Sequence, residues 1–276
     1  MSASELFRSG DLAGALNAAL EAVKASPTDL AARWQLAELA AISGDLERAD
    51  RQVDAISTQS PETGTVAAVF RQLIRAELSR REVFDKGRVP EFLGQPGPAL
   101  QDALKALTQL RSGQAAEAAA TAAAVEETRK QVSGRHNGQP FADIRDLDDL
   151  LAPVLEVLTT TGKYYWVGWE NIELLEFLPF ERPRDLLWRQ AHIIVKGGPD
   201  GVVYVPAVYE GTATVEDPAL RLARSTDWIE GAGGQVRGVG QRVLLIGESD
   251  VPILECGKFE FDDPVRVIGR GDEAEA

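Results

Sequence analysis

Gly10-Asp11-Leu12 returns as Gly44-Asp45-Leu46, Ala15 returns as Ala49 and Pro27 as Pro61, every pair 34 residues apart. That spacing is the period of a tetratricopeptide (TPR) helix–turn–helix unit. Such a unit buries its apolar face only by stacking on a neighbour, and the resulting concave stack binds peptides or helices. The opening of the chain therefore points to a protein that holds another protein.

Outward from these tripeptides, residues 4–60 read as four helices. Leu6, Leu12, Ala15, Leu16, Ala19 and Val23 keep a helical period, broken by a turn at Ser9-Gly10. Ser26-Pro27-Thr28-Asp29 closes the first repeat and supplies an N-cap for a helix built on Trp34, Leu36, Leu39, Ala40 and Ile42. Gly44 permits a tight turn in which a bulky residue would meet the facing helix. Leu46, Ala49, Val53 and Ile56 carry the fourth helix, with Ala15 and Ala49 small enough for close helix approach.

Val66, Val69, Phe70, Leu73, Ile74 and Leu78 give a further amphipathic stretch over 64–84. Glycines and prolines between Asp85 and Pro98 forbid a continuous helix there. Leu100, Leu104, Leu107 and Leu110, the turn Ser112-Gly113-Gln114 and an alanine-rich run at 115–124 predict a degenerate third repeat. Turn-formers at 133–141 mark a boundary. Leu150 to Leu158 reads as a helix that starts late or bends at Pro153, and Ile172 to Phe177 as a short helix or a strand. Ala191 to Val195 and Val202 to Tyr209 flank a glycine-rich turn, and Arg242 to Ile246 and Val251 to Cys256 flank another. Both pairs are hairpin signatures. The expected fold class is α+β multidomain. A TPR-like α-superhelix over 1–130 precedes a compact α/β domain rich in antiparallel strands over 140–262, and a disordered tail is expected at 263–276.

Charge narrows the function. The net charge is −14. Residues 1–130 carry 15 Lys/Arg against 18 Asp/Glu, and residues 131–276 carry 14 against 25, so the acidity lies in the second half. A phosphate-backbone binder needs a basic stripe, so nucleic acid is not an expected partner. No stretch approaches the ~20 apolar residues of a membrane span, and nothing at the N-terminus reads as a signal peptide, so the expected location is cytoplasmic. The single cysteine, Cys256, sits in an apolar run and reads as a core thiol.

Candidate chemistry is thin. Asp143, Asp146, Asp148 and Asp149 cluster without the spacing of a calcium loop and read as capping charge before a helix at Leu150. Arg184 and Asp185 are placed to pair with Arg189 and Asp227. His136 and His192 have no metal or triad partners in the sequence. The glycines from Gly231 to Gly240 lack a phosphate-loop context and read as a flexible connection between strands. Tyr164, Tyr165, Trp166 and Trp169 either line a binding face or fill the core. No cofactor or bound metal is expected.

These pieces occur together in one family. Asp146-Leu147-Asp148-Asp149, Tyr164-Tyr165-Trp166, Arg182-Pro183-Arg184-Asp185-Leu186-Leu187-Trp188-Arg189, Val205-Pro206-Ala207-Val208-Tyr209, Ala223-Arg224-Ser225-Thr226-Asp227-Trp228 and Gly238-Val239-Gly240-Gln241-Arg242 follow in order behind the TPR-like repeats. With them the chain resembles the ImpE/TagJ accessory proteins of bacterial type VI secretion. One departure is Leu222-Ala223-Arg224, where the family often has Leu-Gly-Arg. The missing glycine implies a backbone without positive φ at that point.

The resemblance implies a non-enzymatic cytoplasmic adaptor. It would bind the small subunit of a contractile sheath through that subunit's N-terminal helix, with an indirect link to the AAA+ ATPase that recycles the sheath. Trp166, Arg184, Asp185, Trp188, Tyr209, Arg224, Asp227, Trp228 and Arg242 are the candidate partner-binding or domain-holding residues. The alternatives are an enzyme acting on an anionic small molecule, with a pocket lined by Arg184, Arg224, Arg242 and Asp227, and a general peptide-binding TPR module.

Overall fold

A computed structural model describes residues 1–262; the tail expected at 263–276 lies outside the described residues. The repeated tripeptides explain the helical half. Each glycine ends a helix in the left-handed region, at φ +94° for Gly10, +88° for Gly44 and +77° for Gly113. The hydrogen bonds repeat too. Gly10, Gly44 and Gly113 donate to the carbonyls of Phe7, Ala41 and Leu110, and the residues after them donate to Leu6, Ala40 and Gln109. Asp11 and Asp45 then cap the next helix by accepting from the amides of Gly14 and Arg48. Leu12, Ala15, Leu46, Ala49 and Ala118 are buried against the partner helices.

The helices are α1 (Ala3–Ser9), α2 (Leu12–Ala25), α3 (Leu30–Ile42), α4 (Leu46–Gln59), α5 (Gly64–Asp85), α6 (Pro98–Arg111) and α7 (Ala115–Thr128). The segment after α5 runs along the β half, where Glu91 exchanges backbone hydrogen bonds with Tyr164 and Trp166.

The strands are β1 (Gly134–His136), β2 (Gln139–Phe141), β3 (Ile144–Asp146), β4 (Val154–Leu158), β5 (Tyr164–Gly168), β6 (Ile172–Phe177), β7 (Trp188–Val195) and β8 (Asp200–Pro206). After the short helix α8 (Pro218–Arg221) come β9 (Thr226–Glu230), β10 (Val236–Gly240), β11 (Val243–Ile246), β12 (Ser249–Pro252) and β13 (Lys258–Phe261). Eight strands form an antiparallel sheet in the order β2-β1-β13-β6-β7-β8-β4-β5. A three-stranded sheet, β12-β11-β3, and the hairpin β9–β10 complete the half. Both hairpins predicted from sequence form, as β7–β8 and β11–β12. The turn-formers at 133–141 make a third, with Asn137 and Gly138 at φ +51° and +81° between β1 and β2.

The large sheet is covered on both faces. Val154, Leu158, Tyr164 and Trp166 join a core shared with Leu36, Phe70 and Leu73 of the helices. Leu155, Val157 and Val167 face the other way, into a core with Ile144, Leu244 and Phe259. This corrects the helix expected over Leu150 to Leu158. A strand buried on both faces carries apolar residues at every position, and periodicity cannot tell it from a buried helix.

The helical stack is not an open groove on the side of the β half. Every residue from Leu36 to Ile42 of α3 is buried. Phe70 of α5 packs edge-on against Trp188, with ring centroids 5.7 Å apart. Arg221 and Arg224 donate to the last carbonyls of the α3 turn (Ser43) and of α1 (Phe7 and Arg8). Gly44 faces not a helix of its own repeat, as expected, but Ala213 of the β half.

Candidate functional site

The densest polar cluster lies where the two halves meet. On α5 the apolar stripe Phe70, Leu73, Phe84 continues at helical spacing through Glu77 and Arg80. Both charges are therefore carried into the core. On β4 a single carboxylate, Glu156, interrupts the apolar run. Arg80 meets it in a two-pronged pair, Nε to Oε1 at 2.8 Å and Nη2 to Oε2 at 3.2 Å. Arg80 also donates to the carbonyl of Val208 and to Glu77, whose other oxygen accepts from the Trp188 indole at 3.2 Å.

The chain of pairs goes on through the β half. Arg242 bridges Glu156 (2.7 Å) and Asp146 (3.0 Å from Nε). Asp146 accepts from the Tyr209 hydroxyl and the Asp148 amide, and Asp148 accepts from Arg237. The Tyr164 hydroxyl donates to Glu156 and accepts from the Trp166 indole. Arg80, Glu156, Arg242 and Asp146 are all essentially inaccessible, at 1%, 0%, 0% and 0% exposure. Burial alone would push the Glu156 carboxyl up, but Arg80 and Arg242 overcome it and hold it at about 2. Asp146 stays above its ordinary value, since burial and neighbouring Asp148 outweigh Arg242.

This junction sorts the residues singled out in the sequence. Trp166, Trp188, Tyr209 and Arg242 belong to it, as do Asp146 and Asp148. They fill the core, so the even choice left open for Trp166 falls to packing, with Tyr164 and Trp169 also buried and Tyr165 half-buried. The aspartates do not cap a helix at Leu150. Asp146 and Asp148 hold arginines, Asp149 accepts from the Val236 amide, and Asp143 pairs with Arg129. Gly238 is required because a Cβ there would stand 2.2 Å from the Tyr209 ring.

The remaining candidates do not converge. Arg184 stacks over Phe70, 5.5 Å from the ring centroid, and Asp185 caps the 3₁₀ turn Pro183–Leu186 by accepting from Glu181 and Arg182. Arg189 donates to the carbonyls of Ile253 and Cys256. Asp227 accepts from its neighbour's amide, and Trp228 is exposed on the β9–β10 hairpin. The expected pairing of Arg184 and Asp185 with Arg189 and Asp227 is thus absent; Arg184 Nε and Nη1 and Arg189 Nε are buried without a hydrogen-bond partner. Nor do Arg184, Arg224, Arg242 and Asp227 line one pocket, since Arg242 is sealed in the junction and Arg224 caps α1. Of the glycines from 231 to 240, Gly231, Gly233 and Gly234 lie in the connection between β9 and β10, and Gly238 and Gly240 lie in β10 itself.

A cleft of about 240 Å³ lies beside the junction, with Gly44, Arg81, Glu210 and Arg221 among its walls; burial raises the Glu210 carboxyl. The Cys256 thiol is buried and pushed up to about 12, which leaves it protonated and inert. His192 pairs with Asp200 at 2.6 Å, and His136 stacks on Phe259. Among the described residues no three His, Cys, Asp or Glu side chains are grouped to hold a metal, and no helix is long and apolar enough to cross a membrane. Glu77, Arg80 and Glu156 were not among the sequence candidates. Their signal was charge at core positions of an apolar stripe and an apolar run.

Comparison with known proteins agrees with this layout. Residues 138–260 match the family model described as ImpE protein. The chain is 31% identical over 262 residues to the type VI secretion system accessory component TagJ of Pseudomonas aeruginosa, covering 95% of this chain and 92% of that protein. It superposes with a TM-score of 0.88 on the crystal structure of protein VPA1032 from Vibrio parahaemolyticus, at 28% identity, over 95% of this chain and 98% of that one.

Proposed function

From the premise that this chain belongs to the ImpE/TagJ family of type VI secretion accessory proteins, we propose that it is a non-enzymatic cytoplasmic adaptor that binds the small sheath subunit through that subunit's N-terminal helix. The observation that carries the reading is kinship over 95% of the chain to a protein named as an accessory component of that system. The spending of the family-matching residues on structure supports it. Trp188 reaches Glu77 and Phe70 of α5, and Trp166, Tyr209 and Arg242 are buried in the β half at the junction, so recognition falls to the outer surface. The link to the sheath-recycling AAA+ ATPase runs through the shared sheath partner, and neither nucleic acid nor membrane is called on. The inner face of the helical stack is occupied by the chain's own β half, so the helix docks on another surface.

The test is co-purification of this protein with the small sheath subunit, full-length and lacking its N-terminal helix. Retention of the full-length subunit alone is expected. Equal retention of both forms contradicts the role of the helix, and retention of neither contradicts the partner.

A further inference from the structure

The last helix of a repeat stack needs a polar outer face, because no further repeat covers it. Helix α7 departs from this. Ala116, Ala120, Ala123 and Ala124 are exposed, at spacings that put them along one side of the helix. Ala116, Ala120 and Ala123 do not lie on open surface. A groove of about 660 Å³ runs between this side of α7 and the turn of the β9–β10 hairpin at Gly233, Gly234 and Gln235. Alanine on one wall and Gly234 on the other, where a Cβ would meet nothing within 4 Å, leave room for a third backbone to approach closely, while Gly233 packs on the Ala115 carbonyl of α7. By its rise α7 spans about 21 Å, enough to support roughly four turns of a docked helix.

Charge and hydrogen bonding both indicate an occupant. Every charged residue lining the groove is acidic: Glu126, Glu127 and Asp149. Glu126 is already shared by Arg129 and Arg145. Glu127 and Asp149 form no ion pair among the described residues, and Asp149 accepts only the Val236 amide there. Gln235 lines the same groove at 3% exposure, and its Oε1 has no donor. That oxygen lies 2.9 Å from where a Cβ on Gly233 would stand, on the groove wall. A buried amide oxygen without a partner costs free energy that an arriving donor recovers.

We infer that the groove between α7 and the β9–β10 turn is the docking site for the partner helix, and that this helix carries a small-residue face with basic residues beside it. The inference rests on the adaptor reading above and adds the surface and the partner's chemistry. Apolar contact on the alanines provides most of the binding, and the carboxylates set orientation.

The experiment is fluorescence anisotropy with a labelled synthetic peptide of the sheath subunit's N-terminal helix. Ala120→Arg and Ala123→Arg place bulk on the exposed floor of the groove without touching the core, and circular dichroism checks their folding. Each is expected to weaken binding at least about ten-fold. Glu127→Lys is expected to weaken it about three-fold at low salt and not at high salt. Val202→Arg, on an exposed position of β8, is expected to bind as the unaltered protein does. Equal binding by the unaltered protein and both alanine variants overturns the groove and leaves the adaptor reading in place. No binding by the unaltered protein overturns both.

Discussion

Arg80 and Glu156 lie 76 positions apart in the chain and form a two-pronged ion pair with no access to solvent. One belongs to the helical half and the other to the β half, so the pair joins them covalent-bond-free at the centre of the molecule. Two charges can persist there only because each is multiply satisfied. Arg80 also reaches Val208 and Glu77, and Glu156 also takes Arg242 and Tyr164.

Removing one partner leaves the others charged and buried. Glu156→Gln should therefore destabilise the protein by roughly 3–5 kcal/mol, far more than a surface ion pair would cost. Urea denaturation followed by far-ultraviolet dichroism for the helices and, in a Trp34→Phe background, by fluorescence of the tryptophans of the β half checks this. The two probes should move together. Two separate transitions in that background with Glu156 retained would show that the junction does not couple the halves.

Gly44 offers a sharper steric test. Its φ is +88°, and a Cβ there would stand 2.8 Å from the Ala213 Cβ. Gly44→Leu should lower stability by at least ~1 kcal/mol, from left-handed strain and from the clash across the two halves. An unchanged melting temperature would count against this packing.

Ala223 reverses an expectation. The absence of the family's glycine implied an ordinary backbone, yet Ala223 has φ +52°. The turn is fixed by its surroundings. Leu222 is buried, and Arg224 must reach back to α1. An L-residue in this region is strained by about 1–2 kcal/mol. Ala223→Gly relieves that and loses roughly 0.5–1 kcal/mol in chain entropy. The expected outcome is a small gain in melting temperature, and a loss would mean that the buried methyl matters more than the strain.

Glu38 supplies a pH dependence. It is buried on α3, and burial raises its carboxyl from 4.5 to about 7, against the pull of nearby Arg184 and Arg182. Between these values the folded protein holds a proton that the unfolded chain has released, so stability falls as pH rises through that window. Glu156 works oppositely. Its folded value of about 2 lies below the ordinary 4.5, so its contribution is full above 4.5 and is lost as pH falls toward 2. Glu38→Gln should raise the melting temperature more at pH 8 than at pH 5, and an equal effect at both would contradict the assignment.

What was legible in the sequence follows from where each signal is local. The Gly-Asp-Leu turns could be read because helix end, cap and buried leucine are fixed within a few residues. The β7–β8 and β11–β12 hairpins could be read for the same reason. The junction could not. Its pairs join residues such as Arg242 and Asp146, 96 positions apart, and each aspartate alone looks like a capping charge. Arg80 sits on the apolar stripe of α5, and its partner Glu156 lies in a run that reads as a helix, so neither charge points to the other from the sequence. The family resemblance did mark Trp166, Trp188, Tyr209 and Arg242, but motif order cannot tell residues that bind a partner from residues that hold a core.

The adaptor role is tested most directly by calorimetric titration of this protein with a synthetic peptide of the sheath subunit's N-terminal helix, at low and at high salt. Binding of micromolar strength or tighter is expected, with only a modest loss at high salt, since apolar contacts should dominate over screened rim charges. Absence of heat and of binding at either salt would contradict the adaptor role for this partner. Binding abolished by salt would leave the partner and contradict the apolar mode of docking.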